Sequence, residues 1–415
     1  MLRDHRLFLF LLICLLGQIL AWRLWLRWAG PRRPARAAVH LLFVLFNLGW
    51  FFSAGSLYFG HNLSDRLWAW VARPSIAWQA AYILAILPLG LLGSLGLGLG
   101  RFFRRGRAGA GDRPADQGRR DFIKISGLGV STAILGACAW GVVRQGRPPG
   151  LERLELAVPG LPPALDGFKI MHLTDIHLGL WAGRKELDQA LERAAAEKPH
   201  LAALTGDLVD RNPDFAKLYR EPLKRLAGTP CGVWGVLGNH DHYTGPRRIA
   251  ELLDGHGLNL LVDRQVNFPD LPLSLIGLDD QGRHQSWLGR GAPSVRGQEE
   301  DPDVLDFSLV RGPAPRPGDF TVLLNHRPEG FRQAAGHGCR LYLAGHTHGG
   351  QYQVPWDRQL NLAAAFYKYS SGLYREHGAW LNVSRGLASV GIPFRLWAWP
   401  QISLITLRVA PERGA

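Results

Sequence analysis

Acidic side chains are scarce in the first 150 residues of the chain. That part contains 5 Asp and Glu against 19 Lys and Arg, whereas the rest of the 415-residue chain contains 29 of each. The formal net charge of +14 therefore belongs entirely to the first part, and the second part is formally neutral. Because no basic stripe accompanies the second part, the pI near 10.1 does not indicate a nucleic-acid-binding protein.

Cysteine is also rare, with four residues in the whole chain. The two in the neutral part, Cys231 and Cys339, lack the regular spacing of a disulfide framework. This excludes a small fold held together by disulfide bonds. About 265 residues follow Gly150, enough for a large hydrophobic core, and we predict one α/β domain over residues 151–415.

Long hydrophobic runs are concentrated in the basic first part. Four of them, near residues 7–26, 37–59, 76–99 and 125–143, predict an all-α transmembrane region of three to four helices within residues 1–150. The fourth run is weaker, since it is rich in Gly, Ala and Ser. Each run alone could be a buried core helix, but their succession with basic loops between them argues against that alternative.

The charges of the loops predict the orientation of these spans. The loop from Arg23 to Arg36 carries five Arg and no acid, and the stretch from Arg101 to Lys124 carries eight basic and three acidic residues. Positive loops stay in the cytoplasm, so the first and third loops are predicted to lie inside. If the fourth run also crosses, this is a multi-pass protein of the cell membrane whose neutral part lies on the extracytoplasmic side.

The fourth run follows a basic motif. Arg119 and Arg120 precede Phe122 and Lys124 in "RRDFIKISG", which resembles a twin-arginine export signal placed after three membrane spans. Such a signal exports an already folded domain. The alternative is an ordinary positively charged flank of a membrane span.

Polar side chains follow the predicted strands of the second part, where these strands end. The strands are separated by predicted helices near residues 184–197, 215–226 and 246–253. In open α/β sheets, ligands bind outside the carboxyl ends of the strands, so we expect these side chains to converge. They are Asp175, His177, Asp207, Asp210, Asn239, His240, Asp241, His326, His346 and His348.

The same residues form an ordered series of short motifs. The chain contains D-x-H, G-D-x-x-D, G-N-H-D, a single His and G-H-x-H, in "TDIHLG", "TGDLVDR", "LGNHDHY", "LLNHRPEG" and "LAGHTHGGQ". Together they resemble the signature of the calcineurin-like metallophosphoesterase superfamily, over roughly residues 165–407. The export-signal-like segment and the "GHTHGGQ" ending are most similar to its membrane-attached branch. The resemblance implies an α/β fold, a metallophosphoesterase-type β-sandwich flanked by helices.

The resemblance also implies a centre with two divalent metal ions, and Mn, Zn or Fe suit ligands of this mixed type. One ion is expected to be held by Asp175, His177, Asp207 and His348. The other is expected to be held by Asp207, Asn239, His326 and His346. Asp207 bridges the two ions, because a carboxylate can serve two cations and a single neutral nitrogen cannot.

His240 is the expected catalytic residue beside these ligands. By the same resemblance, a hydroxide held by the metals attacks the phosphorus, while His240 stabilises the developing charge or protonates the leaving oxygen. Asp210 is expected to orient His240, and Asp241 is a competing candidate for that role.

The expected activity is that of a metal-dependent phosphoric ester hydrolase. Its substrate would be a phosphomonoester, phosphodiester or pyrophosphate, in a small molecule or a lipid, outside the cytoplasm. One alternative keeps the chemistry but faces the cytoplasm and hydrolyses a pyrophosphate of the UDP-diacylglucosamine type. A second alternative is a non-enzymatic sensor or scaffold, which the complete ligand set disfavours. The membrane is the expected partner, and nucleic acid is not expected.

Other polar and aromatic side chains leave two interpretations open. His172 lies in a predicted strand and is either a core residue or a support for the site. His242, Tyr243 and Arg327 adjoin predicted ligands and would be able to contact a phosphate. The aromatic stretch "GIPFRLWAWPQ", residues 391–401, is explained equally well as core or as a surface that rests on a bilayer.

Overall fold

The computed structural model describes residues 147–179, 182–280, 305–390 and 394–410 continuously, with scattered positions between 18 and 47 and between 136 and 144. The chain divides into two units. One comprises Met1–Val143 and Ile392–Phe394, and the other comprises Arg144–Gly391 and Arg395–Ala415.

In the first unit, the described positions between 33 and 47 are helical. No helix within the described positions is both long and apolar enough to cross a bilayer. The predicted spans near 7–26, 37–59, 76–99 and 125–143 lie wholly or largely outside the described residues, as does the arginine pair at 119–120. Membrane insertion and export therefore remain predictions.

The second unit contains fourteen strands in its described part. In chain order, β1 to β14 are Gly150–Val158, Lys169–Leu173, Leu201–Thr205, Val233–Val236, Asn259–Leu260, Arg264–Phe268, Leu273–Gly277, Phe320–Leu324, Leu341–Ala344, Gln353–Val354, Asp357–Asn361, Gly372–Glu376, Ala379–Val383 and Gln401–Val409. Two mixed six-stranded sheets have the orders β1-β14-β2-β3-β4-β5 and β12-β13-β9-β8-β7-β6, and β10 and β11 form a separate hairpin.

Five α-helices connect these strands in the described residues. They are α1 Arg184–Ala196, α2 Arg220–Leu223, α3 Asn239–Thr244, α4 Pro246–Leu253 and α5 Phe331–Gly336. Helices α1 and α4 confirm two predicted helices to within a residue. The helix predicted near 215–226 is wrong as a continuous element, because 3-10 turns at Pro213–Tyr219 and Lys224–Leu226 flank the short α2. Pro222 lacks the N–H that a continuous helix would need there.

Side chains of the central strands alternate between separate cores. In β2, Ile170 packs between the two sheets, whereas Met171 and Leu173 pack on the opposite face with the α1 residues Leu187 and Leu191. The outer face of the second sheet is covered in the same way, since α5 contributes to a third core cluster there. The fold is therefore an α/β sandwich of two mixed sheets with helices on both outer faces, as predicted.

The loops that carry the predicted site leave the carboxyl ends of both sheets. Asp175 follows β2 by two residues, Asp207 follows β3 by two and Asn239 follows β4 by three. From the second sheet, His326 and His346 follow β8 and β9 by two residues each. Parallel pairing of β2 with β3 and β4, and of β8 with β9, brings these ends together within each sheet.

Candidate metal centre

Five of the predicted ligands have a left-handed backbone, which non-glycine residues rarely adopt. Their φ angles are 49° at Asp175, 44° at His177, 50° at Asp207, 70° at His346 and 52° at His348. Such a residue costs on the order of 1 kcal/mol relative to the right-handed conformation. Contacts around these loops must therefore hold them in place.

Two glycines provide part of that support. A Cβ at Gly238 would overlap the carboxylate of Asp207, and a Cβ at Gly345 would overlap that of Asp175. Backbone N–H groups reach both acids: His346 N donates to Asp175 at 3.1 Å, and His240 N donates to Asp207 Oδ1 at 2.8 Å. The carboxylates are thus fixed by main-chain donors before any metal is considered.

The first group of donor atoms comprises Asp175, His177, Asp207 and His348. One ligand atom of each lies within 4.8 Å of the others, and all four side chains are buried. His177 Nε2 is 3.3 Å from His348 Nε2 and 3.4 Å from Asp207 Oδ2. His348 Nε2 is also 3.3 Å from Asp175 Oδ1. These distances surround a space of the size that one cation would occupy.

The second group converges on His326. Its Nε2 atom lies 3.2 Å from each of three acceptor atoms, namely Asp207 Oδ2, Asn239 Oδ1 and His346 Nδ1. The same Asp207 oxygen therefore belongs to both groups. The structure brings together all seven side chains that were predicted to bind metal.

The hydrogen bonds of the histidines indicate that these groups fit cations. His348 Nδ1 lies 3.0 Å from the carbonyl oxygen of Ala388, and His326 Nδ1 lies 2.8 Å from that of Thr205. A carbonyl only accepts, so the Nδ1 of His326 carries the proton and its neutral ring presents the Nε2 lone pair to the centre. Lone pairs and carboxylate oxygens thus face one another, an arrangement that a bound cation stabilises.

The pKa values of these buried groups reflect the same concentration of lone pairs and carboxylate oxygens. Burial alone would lower the pKa of His326, but the neighbouring Asp207 outweighs it and raises that pKa to about 10. Burial lowers the pKa of His177 to about 4, and burial, with Asp207 nearby, raises that of Asp175 to about 6. The negative charge gathered around His326 raises its pKa, and the same charge would stabilise a cation bound here.

His240 lies at the edge of the centre and is partly exposed. Its ring packs edge-on against His177, with 4.6 Å between the ring centroids, and its Nδ1 lies 3.2 Å from Asp210 Oδ1. The carboxylate of Asp241 instead accepts the backbone N–H groups of Leu208, Val209 and Gly238. Of the two acids considered as partners of His240, Asp210 is the one within hydrogen-bonding distance.

A polar wall borders the second group. Arg327 Nη1 and the hydroxyl of Tyr367 lie 3.1 and 3.3 Å from His346 Nε2, and Arg327 Nε donates to Asp280 at 3.0 Å. His242 similarly contacts Asp279 at 2.9 Å. Sequence reasoning pointed to Arg327 and His242 through their neighbours. It missed Tyr367, which no motif contains.

Among the residues that the structure describes, Arg395 is the largest fully buried side chain, and it was also missed. Its Nη2 lies 3.0 Å from His348 Nδ1 and donates to the carbonyl of Ala388, and its Nη1 donates to the carbonyl of Ala398 at 2.9 Å. Burial lowers its pKa to about 9. A lone arginine within the apolar stretch 391–401 was the available signal, since a charge in such a run is buried only with dedicated partners.

The remaining residues of interest divide between core and surface. His172 is buried between the sheets, where it accepts from Asn382 Nδ2 at 2.9 Å and contacts Thr205 Oγ1 at 2.8 Å. Burial lowers its pKa to about 3. In the aromatic stretch, Phe394 is buried, whereas Trp397 and Trp399 are partly exposed.

Comparison with known proteins gives consistent matches. Residues 168–350 match the family described as calcineurin-like phosphoesterase. An uncharacterized metallophosphoesterase of Helicobacter pylori is 30% identical over 71% of this chain and 72% of its own length. Metallophosphoesterase YkuE of Bacillus subtilis is 28% identical over 70% of this chain and 97% of its own length. A transmembrane protein with metallophosphoesterase domain from Danio rerio is 28% identical over 82% of this chain and 74% of its own length.

Proposed function

Because this chain belongs to the calcineurin-like phosphoesterase family, whose members are hydrolases that use two divalent metal ions, we propose that it is a membrane-anchored phosphoesterase. Its substrate is a phosphomonoester, phosphodiester or pyrophosphate. Its catalytic unit works on the extracytoplasmic face of the cell membrane.

A single observation carries the catalytic part of this proposal. Asp207 Oδ2 lies 3.4 Å from His177 Nε2 in the first donor group and 3.2 Å from His326 Nε2 in the second. One carboxylate oxygen shared by two clusters of lone pairs is what a pair of bridged cations requires. Such ions supply Lewis acidity to the phosphoryl oxygens and make a nucleophile available at neutral pH.

His240 supplies the proton for the leaving oxygen. Burial disfavours its charged form, but Asp207 and the hydrogen bond with Asp210 outweigh burial and raise the pKa of His240. The carboxylate of Asp210 therefore favours the protonated ring. With Nδ1 directed at Asp210, the Nε2–H is free to donate to the substrate. Arg327, next to His346, offers a fixed positive charge to the substrate phosphate.

The decisive experiment is hydrolysis by the purified full-length chain of three matched chromogenic probes, a phosphomonoester, a phosphodiester and a pyrophosphate. We expect about two divalent ions per chain, loss of activity on chelation and recovery with Mn²⁺. Asp207→Asn is the control, since it removes the shared ligand. Hydrolysis that continues unchanged after exhaustive chelation would contradict the proposal.

Anchoring in the membrane is supported by the four hydrophobic runs and by the charges of the loops between them. The relative from Danio rerio is named a transmembrane protein, and its match covers 82% of this chain. The extracytoplasmic location is supported by the eight basic residues between Arg101 and Lys124, which are expected to hold that loop in the cytoplasm and direct the fourth run outward.

Protease accessibility in spheroplasts tests both the location and the export route. The wild-type catalytic unit should be cleaved from the outer face, and Arg119→Lys with Arg120→Lys should protect it if a twin-arginine signal exports it. Lysine keeps the positive charge, so if the two arginines are only an ordinary basic flank, the exchange should not change the protease accessibility. Protection of the wild type would overturn the external location and favour the nucleotide-linked lipid alternative, because nucleotide sugars are cytoplasmic.

A further inference from the structure

An exposed apolar segment extends from the catalytic unit beside the metal centre. We name residues 352–366, which include the β10–β11 hairpin, the apolar arm. Trp356, in the hairpin turn, is 80% exposed, and Phe366 is 71% exposed. Leu360 and Leu362 are 56% and 48% exposed. Four large apolar side chains thus face solvent within eleven residues, and a concentration of this kind marks a binding surface.

The apolar arm is attached to the metal centre at both ends. It begins four residues after His348 and ends next to Tyr367, whose hydroxyl lies 3.3 Å from His346 Nε2. Gly350 lies so close to Leu362 that a Cβ there would overlap the backbone of the arm. A substrate that contacts the ends of the arm would therefore also be close to the two histidines of the G-H-x-H motif.

The apolar arm also lies beside the point where the chain arrives from the predicted membrane region. Arg358 of the arm forms an ion pair with Glu152, two residues into β1. The ring of Tyr352 packs against Trp397, with centroids 6.3 Å apart, and Gly150 donates to the carbonyl of Pro400 at 2.8 Å. The start of β1, the loop before β14 and the arm therefore share one end of the unit.

The length of the connection to the membrane identifies the partner of this surface. The predicted fourth span ends at Val143 and β1 begins at Gly150, so only the six residues 144–149 lie between them. Six residues reach about 20 Å at most. If the fourth run crosses the membrane, the start of β1, and with it the arm, lies within that reach of the bilayer, and Trp and Leu are residues that insert into its interface.

We propose that the apolar arm rests in the bilayer interface and that the substrate is an amphiphilic phosphoester, whose headgroup enters the metal centre while its acyl chain stays in the membrane. The substrate class rests on the proposed phosphoesterase activity, and the contact of the arm with lipid rests on the proposed membrane anchor. The chemical class is that of a phospholipid or a lipid-linked phosphate.

Contact with lipid is measured on the full-length chain in vesicles of phosphatidylethanolamine and phosphatidylglycerol. The fluorescence emission of Trp356 alone is obtained by subtracting the emission of Trp356→Phe from that of the wild type. Brominated acyl chains should quench that difference by about twofold or more, while aqueous acrylamide should quench it weakly. Trp234→Phe is the control, because its indole donates to the carbonyl of Cys231. Quenching of Trp356 by acrylamide alone, or by neither agent, would overturn the proposal, and the latter would show that protein covers Trp356.

The substrate class is tested with two phosphodiesters that differ only in their tail, 4-nitrophenyl ethyl phosphate and 4-nitrophenyl hexadecyl phosphate. In the same vesicles, kcat/KM for the hexadecyl ester should exceed that for the ethyl ester by about tenfold or more. The variant Trp356→Ser with Leu360→Ser should lose this preference and keep its activity on the ethyl ester. Val409→Ser is the control, because Val409 is an exposed apolar residue at the end of β14 that lies away from the arm. This variant should keep both the preference for the long tail and the activity on the ethyl ester.

The outcomes separate the two proposals. A wild type without preference for the long tail, or a double variant that retains the preference, overturns the amphiphilic substrate and leaves the phosphoesterase intact. A chain that hydrolyses neither ester with Mn²⁺ present contradicts the proposed hydrolysis of phosphodiesters. The quenching of Trp356 still decides whether the arm contacts lipid in that case.

Discussion

The two donor groups share Asp207 but differ in what surrounds them. Behind the first group lie backbone carbonyls and the fully buried Arg395, and its four side chains are buried. Around the second group lie the partly exposed Arg327 and the hydroxyl of Tyr367, and its ligand His346 is itself partly exposed. The first group is therefore built to retain an ion from inside the fold. The second presents its ion to a substrate.

The largest effect is expected where the two groups join. Asp207→Asn removes the charged oxygen that both groups share, so both ions should be lost together. Activity should fall by about 10³-fold or more, since a metal ion supplies several kcal/mol to the transition state. Metal content by mass spectrometry and turnover with saturating Mn²⁺ are the measurements. Retention of two ions per chain would show that Asp207 does not bridge.

Single-ligand variants should separate the groups. His348→Ala removes a ligand from the first ion and His346→Ala removes one from the second, so each variant should bind about one ion fewer than the wild type. The buried first group should hold its ion against a chelator for longer, and His346→Ala should therefore keep the slowly exchanging ion. Equal exchange rates in the two variants would remove the distinction between an inner and an outer ion.

His240→Asn should keep both ions and lose about 10² to 10⁴ in turnover, as expected for a general acid. The loss should be smaller for probes with good leaving groups, because these need less protonation. Asp210→Asn should show the same dependence on the leaving group with a smaller loss, since it acts through His240. A loss that is equal for all leaving groups would instead favour stabilisation of charge on the phosphorus.

The two arginines offer the clearest contrast between the groups. Arg395→Met should weaken binding of the first ion by about 10- to 100-fold, because Arg395 and His348 contact the same carbonyl of Ala388. Arg327→Met should leave metal binding unchanged and raise KM by about tenfold, the worth of a charge-assisted hydrogen bond. Chelator competition and steady-state kinetics measure the two effects. If Arg327→Met weakened metal binding and Arg395→Met raised KM instead, the second group would be the one that retains its ion and the first would be the one that faces the substrate.

The last effect concerns folding stability, and it comes from the core behind the second group. Burial lowers the pKa of His172 to about 3 in the folded state, whereas the unfolded value is near 6.5. Between these values only the unfolded state binds the proton, so stability is full above pH 6.5 and falls as the pH drops towards 3. Between pH 6.5 and 5 the wild type should lose about 2 kcal/mol of folding stability through His172, and His172→Gln should not show this part of the loss. Pulse proteolysis in urea, compared between wild type and variant, measures this difference.

The sequence predicted the centre better than its surroundings. The metal-binding side chains lie directly after strands. Strands and short motifs are both recognised from neighbouring residues in the sequence, so these side chains were predicted. Arg395 and Tyr367 reach the centre from loops that are far from the motifs in sequence, so only the folded chain brings them there. Asp241 shows, conversely, that neighbours in the sequence need not interact in the folded chain. It adjoins His240 in the chain, yet its carboxylate accepts the backbone N–H groups of Leu208 and Val209.

The left-handed backbone at five ligands links the lifetime of this protein to metal supply. Each of these residues, from Asp175 to His348, holds an unfavourable backbone conformation, which lowers the stability of the fold before any cation binds. Metal binding adds to the stability of the folded state only, so a chain made during metal shortage opens more often. Proteases remove opened chains. Cells short of the right metal should therefore contain less of this protein, and not merely a less active form of it.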